Sequence, residues 1–442
     1  MKQCCIISAP VDTYSGYGAR SRDFIKAIYD LKKDDWEISI LPQRWGSTPW
    51  GYIKDHLDQW QWMEKIFLRS ASLKTQPDIW IQITVPNEFQ PVGKYNIGVT
   101  AGIETTMCHP NWLDGCNRMN LVLTSSEHAK KVFESSQFEM RDQSGNIQRK
   151  VKLEKPVKVL FEGVDTDKYR AIDNNQEKTE VVKSLDDIKE SFCFLIVGHW
   201  MQGALGEDRK NIGLTLKTFL ESFKDKKNKP AIIMKVSSGG ASIMDRDQIL
   251  YRINEIKSQV SKDHKDLPNV YLLHGEIEDE DMNNLYNHEK VKAMISLTKG
   301  EGFGRPLLEF SVTKKPIIAS NWSGQTDFLN EEFCCLINGE VKQIHNSAVV
   351  QEVLIPESAW FQFNIADAKK AMKDVYENYD KYLVGAKRQA HRSKNEFSYN
   401  NMKDLLDHYL NEIPKQVSFK LPELKLPELK RMELPKLKKV EI

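Results

Sequence analysis

The sequence predicts an α/β protein of two doubly wound domains, and three observations predict it. Short apolar runs alternate with longer amphipathic stretches in both halves, the pattern of parallel strands joined by crossover helices. The 442 residues fill two to three domains at about 150 residues each, and an almost wholly polar segment, residues 171–190, separates the runs into two sets. The composition, 40% hydrophobic and 28% charged with a formal net charge of +1, is that of a globular protein. A general nucleic-acid binder would need a basic excess to meet phosphate, so this balance argues against one.

In the first half, strands are predicted at residues 4–10, 36–41, 79–85, 96–102, 121–126 and 157–163. In the second they fall at 193–199, 231–236, 270–275, 291–297 and 315–320. The first domain therefore spans 1–170, interrupted near 141–156 by a Ser-Gly-Asn turn between polar stretches that reads as a surface hairpin. A linker follows at 171–190, then a second domain at 191–393. Residues 394–412 form a terminal helix, with Met402, Leu405, Leu406, Tyr409 and Leu410 on one broad face. The tail, 413–442, repeats Leu-Pro-Glu-Leu-Lys with a charge of +4; its prolines at 422, 427 and 435 forbid a long helix and predict an extended chain. Two readings of the tail stand, a mobile appendage or a strip that docks on a sheet edge or groove of its own or another subunit, and nothing in the sequence chooses between them.

Seven cysteines, at 4, 5, 108, 116, 193, 334 and 335, show no CxxC or CxxH spacing, which argues against structural zinc and suits a reducing compartment. No run of 18 apolar residues occurs, and the first apolar stretch is too short for a signal peptide. The chain reads as soluble and cytoplasmic; peripheral membrane contact, which needs only one amphipathic face, stays open.

The segment from Thr298 to Leu329, TKGEGFGRPLLEFSVTKKPIIASNWSGQTDFL, carries the chemistry. It follows a predicted strand, passes Gly302 and Gly304, and enters a helix predicted to start at Pro306, where a missing N–H costs nothing. Glycines admit a ligand close to the backbone, and free amides at a helix start attract phosphate. Glu301 and Glu309, eight positions apart, bracket that anion site. Carboxylates repel phosphate but accept from vicinal hydroxyls, so the pair reads as a nucleotide-sugar site with one glutamate for each sugar and amides for the diphosphate between.

This segment resembles the Glu, seven residues, Glu motif of retaining glycosyltransferases of family four (group 1), which have the GT-B fold. The resemblance implies that Glu301 contacts the donor hexose and Glu309 the ribose, and that the turn Gly302, Phe303 and Gly304 offers backbone groups to the donor. Phe303 also suits a plain core ring. The acidic residue the family places just after its later glycine is displaced here to Asp327 and stays unassigned. Arg209 and Lys210, ahead of a helix with Ile212, Leu214, Leu216, Phe219, Leu220 and Phe223, match the family's basic pair on the diphosphate, where fixed cations stabilise a leaving group. Gly16 and Gly18 match its N-terminal glycine loop near donor phosphate and acceptor. Glu104 resembles an acidic position of a Glu-Thr-Thr variant, near the acceptor hydroxyl or the donor; a loop or capping carboxylate is the plain alternative. His109 stands near the family's histidine but is displaced and precedes Pro110. Trp45 and Trp50 are candidate stacking faces for an acceptor, in an aromatic-rich stretch with Tyr52, Trp60 and Trp62 that also suits loop and core anchoring.

The likeness runs through about residues 1–412, strongest in the second half. It implies two Rossmann-like domains facing a cleft, a first on the acceptor side, a second that binds the nucleotide sugar, a terminal helix crossing back to the first, and Glu301, Glu104, Arg209 and Lys210 as the catalytic group. The expected reaction moves a hexose to an acceptor hydroxyl with retention of configuration. No Asp-x-Asp pair stands in a suitable strand-end loop, so no metal and no cofactor is expected beyond the nucleotide-diphosphate sugar as co-substrate; Arg209, Lys210 and the helix dipole answer the leaving-group charge. The acceptor is a saccharide, lipid or protein the sequence does not identify. A sugar-nucleotide epimerase or a phosphorylase on the same fold, or a non-catalytic homologue acting as a binding or scaffold protein, are the rival readings; a phosphorylase needs a cofactor lysine that no residue identifies.

Overall fold

The structure, a computed structural model, describes residues 2–414 apart from 47, 74, 143, 173–178 and 201. The Leu-Pro repeat and the middle of the linker thus lie outside the described residues. In chain order the first half runs β1 (Gln3–Ala9), α1 (Gly16–Lys32), β2 (Trp36–Pro42), α2 (Tyr52–Asp55), α3 (Leu57–Glu64), β3 (Ile79–Ile83), β4 (Tyr95–Thr100), α4 (Pro110–Arg118), β5 (Leu121–Thr124), α5 (Glu127–Ser135), β6 (Gln137–Arg141), β7 (Ile147–Lys152) and β8 (Val157–Val159). The second runs α6 (Glu180–Asp186), β9 (Cys193–His199), α7 (Ile212–Phe223), β10 (Ala231–Ser237), α8 (Ile243–Val260), β11 (Val270–Leu273), α9 (Asp279–Asn287), β12 (Val291–Ser296), α10 (Arg305–Ser311), β13 (Ile317–Ser320), β14 (Cys335–Ile337), β15 (Gly339–Gln343), β16 (Ala359–Phe363), α11 (Ile365–Glu377), α12 (Tyr379–Glu396) and α13 (Tyr399–Asn411).

Two six-stranded sheets result, ordered β2-β1-β3-β4-β5-β8 and β11-β10-β9-β12-β13-β14, and every pairing within them is parallel. Strands covered on both faces must be apolar throughout, and their Ile- and Val-rich runs are. In each sheet the order reverses once, between β1 and β3 and between β9 and β12. Ligands of such sheets bind beyond the carboxyl ends of the strands at that reversal. The loops leaving β1, β9 and β12 carry Gly16, the Arg209–Lys210 pair and Glu301, so topology alone brings the candidate residues of the second domain to one crevice.

The polar stretch near 141–156 is a hairpin: β6 and β7 pair antiparallel, with Phe138 and Val151 on the covered side. A second hairpin, β15–β16, was not anticipated; its exposed β15 strand, Gly-Glu-Val-Lys-Gln, lacks the apolar run that marks a central strand. Among the described residues, no helix is long and apolar enough to cross a membrane.

Residues 394–396 of the predicted terminal helix close α12, and its body is the separate helix α13. α12 ends at Glu396, Phe397 leaves helical geometry (φ −123°, ψ 28°), and the Ser398 hydroxyl caps α13 by accepting the Asn401 N–H at 3.2 Å. The break lets the chain cross back: Val164 N–H donates to Phe397 C=O at 2.9 Å and Tyr399 N–H to Val164 C=O at 2.8 Å. Gly163 is required there, since a Cβ would fall 2.6 Å from Ser398 C=O. α13 then buries Tyr399, Met402, Leu406 and Leu410 against α1 and the first sheet, in one core with Phe24, Ile25, Ile28 and Ile81. Leu406 is fully buried in that core. Leu406→Ala is therefore expected to cost about 2–5 kcal/mol of stability through the cavity it leaves, measured as a lower urea midpoint at unchanged m-value.

Candidate functional site

The loop after β12 turns at Gly300 and Gly304, and the left-handed conformation of Gly304 (φ +99°) starts α10 at Arg305, one residue before the expected Pro306. Glu301, 7% exposed, donates its N–H to the Ser323 hydroxyl at 2.9 Å and turns its carboxylate to Lys210, whose Nζ meets both oxygens at 2.8 Å. Arg209 lies 3.6 Å from the same carboxylate and 3.4 Å from that of Glu104, and donates to Gly300 C=O at 3.0 Å. Glu104, Glu301, Arg209 and Lys210 thus form one cluster, with Glu104 reaching it from the first domain. Burial would push the Glu301 carboxyl up, but Lys210 and then Arg209 hold it below the usual carboxylate range.

Arg209 and Lys210 are aimed by neighbours that sequence reasoning passed over. The buried Asp208 carboxylate accepts the Ile212 N–H at 3.4 Å, Asn211 takes a left-handed conformation (φ 54°), and Lys299 N–H ties back to Arg209 C=O at 2.8 Å. Burial pushes Asp208 up to about 6. The visible signal was an Asp-x-x-Asn string directly before an apolar helical run, the mark of a helix start.

Glu309, also 7% exposed, accepts from Arg305 Nε at 2.8 Å and from the Tyr286 hydroxyl at 3.4 Å. Arg305 reaches across to Asp23 of α1 at 2.6 Å. Burial pushes Glu309 up to about 7; Arg305 opposes this, while Asp279 and Asp23 add to it. Neither Arg305 nor Asp23 was singled out in the sequence.

The glycines divide by cause. A Cβ on Gly302 would fall 2.6 Å from Ala101 C=O, and one on Gly300 1.9 Å from Glu104 C=O. Gly302 therefore admits the first domain's backbone here, where the sequence suggested a ligand. A Cβ on Gly18 would fall 2.2 Å from Thr13 C=O of its own turn, whereas one on Gly16 would meet open space. Phe303, 2% exposed, packs on Phe328 at 5.0 Å and is a core ring; its side chain offers no ligand surface. His109 is outside the Glu301 cluster: it caps α4, its Nδ1 accepting the Asn111 N–H at 3.1 Å. Trp45 stacks on Tyr17 at 3.9 Å, and the Tyr17 hydroxyl accepts from Ala101 N–H at the end of β4. Trp50, 38% exposed, lies under the Arg44 guanidinium, and Trp60 is a core anchor.

Further contacts close the seam. Ser125 donates to Gly302 C=O at 3.1 Å, Thr106 and Ala359 exchange two hydrogen bonds, and His128 meets Trp322 edge-on at 4.6 Å. The unassigned Asp327 accepts the Glu127 N–H at 2.9 Å, capping α5 of the other domain, and burial pushes it up to about 6. Among the described residues, no group of three or more His, Cys, Asp or Glu is arranged to hold a metal ion.

Residues 254–354 match the family model of glycosyl transferases group 1. The matched stretch contains Glu301, Glu309 and Arg305, and leaves Arg209 and Lys210 outside it. Solved structures share the architecture over most of the chain. A glycosyltransferase from Rickettsia africae superposes with a TM-score of 0.60 at 15% identity, covering 93% of this chain and 100% of that one. Sucrose-phosphate synthase from Thermosynechococcus elongatus gives 0.59 at 11% identity over 93% and 98%. Anabaena HepE, solved in complex with UDP and glucose, gives 0.58 at 10% identity over 92% and 99%. The fold is GT-B. No curated protein matches this chain in sequence.

The raised pKa of Glu309 sets a pH dependence. A carboxyl that titrates near 7 when folded and near 4.5 when unfolded makes the native state the stronger proton binder between those values, so stability is lost as pH rises through that window. The loss attributable to Glu309 is up to roughly 3 kcal/mol. Urea unfolding at pH 4.5 and pH 8 is expected to show a smaller decline for Glu309→Gln than for the wild type.

Proposed function

We propose that this chain transfers a hexose from a nucleoside diphosphate sugar to an acceptor hydroxyl, with retention of configuration and without a metal ion. The observation that carries this reading is the convergence, at the strand-order reversal of the second sheet, of Glu301 with Lys210 at 2.8 Å and Arg209 at 3.6 Å, with Glu309 eight residues on. A hexose placed against Glu301 and a ribose against Glu309 give each carboxylate the donors it now takes from cations. Arg209 and Lys210 are then released to the diphosphate. As the bond from the anomeric carbon to the diphosphate breaks, charge grows on the departing oxygens, and two cations already fixed by the β9–α7 loop stabilise that charge without reorganising. The acceptor hydroxyl forms its bond to the anomeric carbon on the same face, its proton passing to the departing phosphate oxygen.

Glu104 enters this cluster from the first domain and borders the acceptor side, with Trp45 and the exposed Trp50 as candidate stacking faces. The complex of HepE with UDP and glucose supports a nucleoside diphosphate as the group to test first.

Glu309→Ala is expected to weaken nucleoside diphosphate binding by about tenfold or more, the loss of charge-assisted hydrogen bonds. Glu301→Ala is expected to leave that affinity within a few-fold and to lower transfer. Calorimetry with UDP, ADP and GDP on both variants measures the first, and unchanged affinity in Glu309→Ala contradicts the ribose assignment. Once a donor and acceptor are found, chelator should leave the rate unchanged and the product's anomeric proton coupling should match the donor's. Donor turnover without an acceptor would favour the epimerase instead.

A further inference from the structure

Three side-chain cations, Arg209, Lys210 and Arg305, meet four carboxylates at the seam, those of Glu104, Glu301, Glu309 and Asp23, and each of the three is engaged. Each of these cations already has a carboxylate partner, so a nucleoside diphosphate draws on them only as they change partners. Sugar hydroxyls can replace the cations on Glu301 and Glu309. Asp23 and Glu104, on the first domain, gain no such substitute under the proposed function.

We propose that Arg305 is a third cation for the donor's diphosphate and that Asp23 is a positioning residue that competes with the diphosphate for it. The inference rests on the nucleotide-sugar reading of Glu301 and Glu309. Arg305 stands four residues after the one glutamate and four before the other, so its backbone lies between the groups assigned to the two sugars, where the diphosphate belongs. Its guanidinium engages Glu309 through Nε and Asp23 through NH1, and a guanidinium has five donors, so it can turn toward phosphate while keeping Glu309. It is 21% exposed, so a charge-assisted contact there is only partly screened. Arg20 of the same helix as Asp23 does not share this role: its guanidinium is held by the C=O groups of Leu160 and Phe161. Asp23 stands on α1 of the first domain and Arg305 on α10 of the second, so the competition needs the two domains in contact.

The test is calorimetry on the full chain with the nucleoside, monophosphate and diphosphate of uridine, adenosine and guanosine. Asp23→Asn is expected to tighten diphosphate binding about tenfold, to tighten monophosphate binding less, and to leave the nucleoside unchanged. Arg305→Gln is expected to weaken the diphosphate about tenfold or more and to abolish the gain from Asp23→Asn in the double variant. Circular dichroism melts check folding; if Arg305→Gln is unfolded, Arg305→Lys with and without Asp23→Asn makes the same comparison, with the gain reduced. A gain for Asp23→Asn that is equal for nucleoside and diphosphate, that survives loss of Arg305, or that is absent overturns the proposal, since a purely structural pair does not sense phosphate number. Binding that depends on Glu309 but not on Arg305 or Asp23 sinks this inference alone. If no probe binds the wild type or Asp23→Asn, the nucleotide-sugar reading falls and this inference with it.

Discussion

A carboxylate buried at the seam of two domains stays ionised only with a cation against it, and that constraint organises this molecule. Each glutamate of the Glu301–Glu309 pair is held by an arginine of its own domain, and each arginine also touches an acid of the other domain: Arg209 bridges Glu301 to Glu104, and Arg305 bridges Glu309 to Asp23. Removing one member of such a group strands the others in a medium that solvates them poorly, so the energetic weight of the network lies in its completeness. The two glutamates nonetheless differ. Lys210 as a second cation keeps Glu301 an anion, while Glu309 shares its one arginine with Asp23 and is pushed up to about 7.

The scaffold explains why these groups meet. Order reversal in a parallel sheet opens a crevice at the carboxyl ends of the central strands, and the loops after β9 and β12 flank it. The same logic brings the Gly16 turn of the first sheet to its own reversal. Gly300 and Gly302 then let the loop after β12 approach the loop after β4 at backbone distance, which a side chain at either position would prevent. The crossing of α13 adds a second tie, because its apolar face belongs to the first domain's core although α12 belongs to the second.

Much of this was legible in the sequence, and what was not has a physical reason. All eleven predicted strands are present, since a buried parallel strand must be an apolar run and helices must be amphipathic. Glu301, Glu309, Arg209 and Lys210 were legible from local spacing. The Asp23–Arg305 contact joins residues 282 apart and leaves no local trace. The break before Ser398 leaves little trace beyond the capping hydroxyl, since the apolar face from Met402 to Leu410 shows that a helix runs there and not where it starts. Gly302 was read as admitting a ligand because a sequence cannot say whether the close neighbour of a glycine is substrate or the other domain.

The claim on which the account turns is that Arg209 and Lys210 leave Glu301 for phosphate while Glu301 and Glu309 receive sugar hydroxyls. A crystal structure with a nucleoside diphosphate sugar bound measures it directly. The account predicts phosphate oxygens within hydrogen-bond distance of Arg209 and Lys210, a ribose on Glu309 and a hexose on Glu301. A donor lodged with the Lys210–Glu301 pair intact and both carboxylates turned away from it would contradict it.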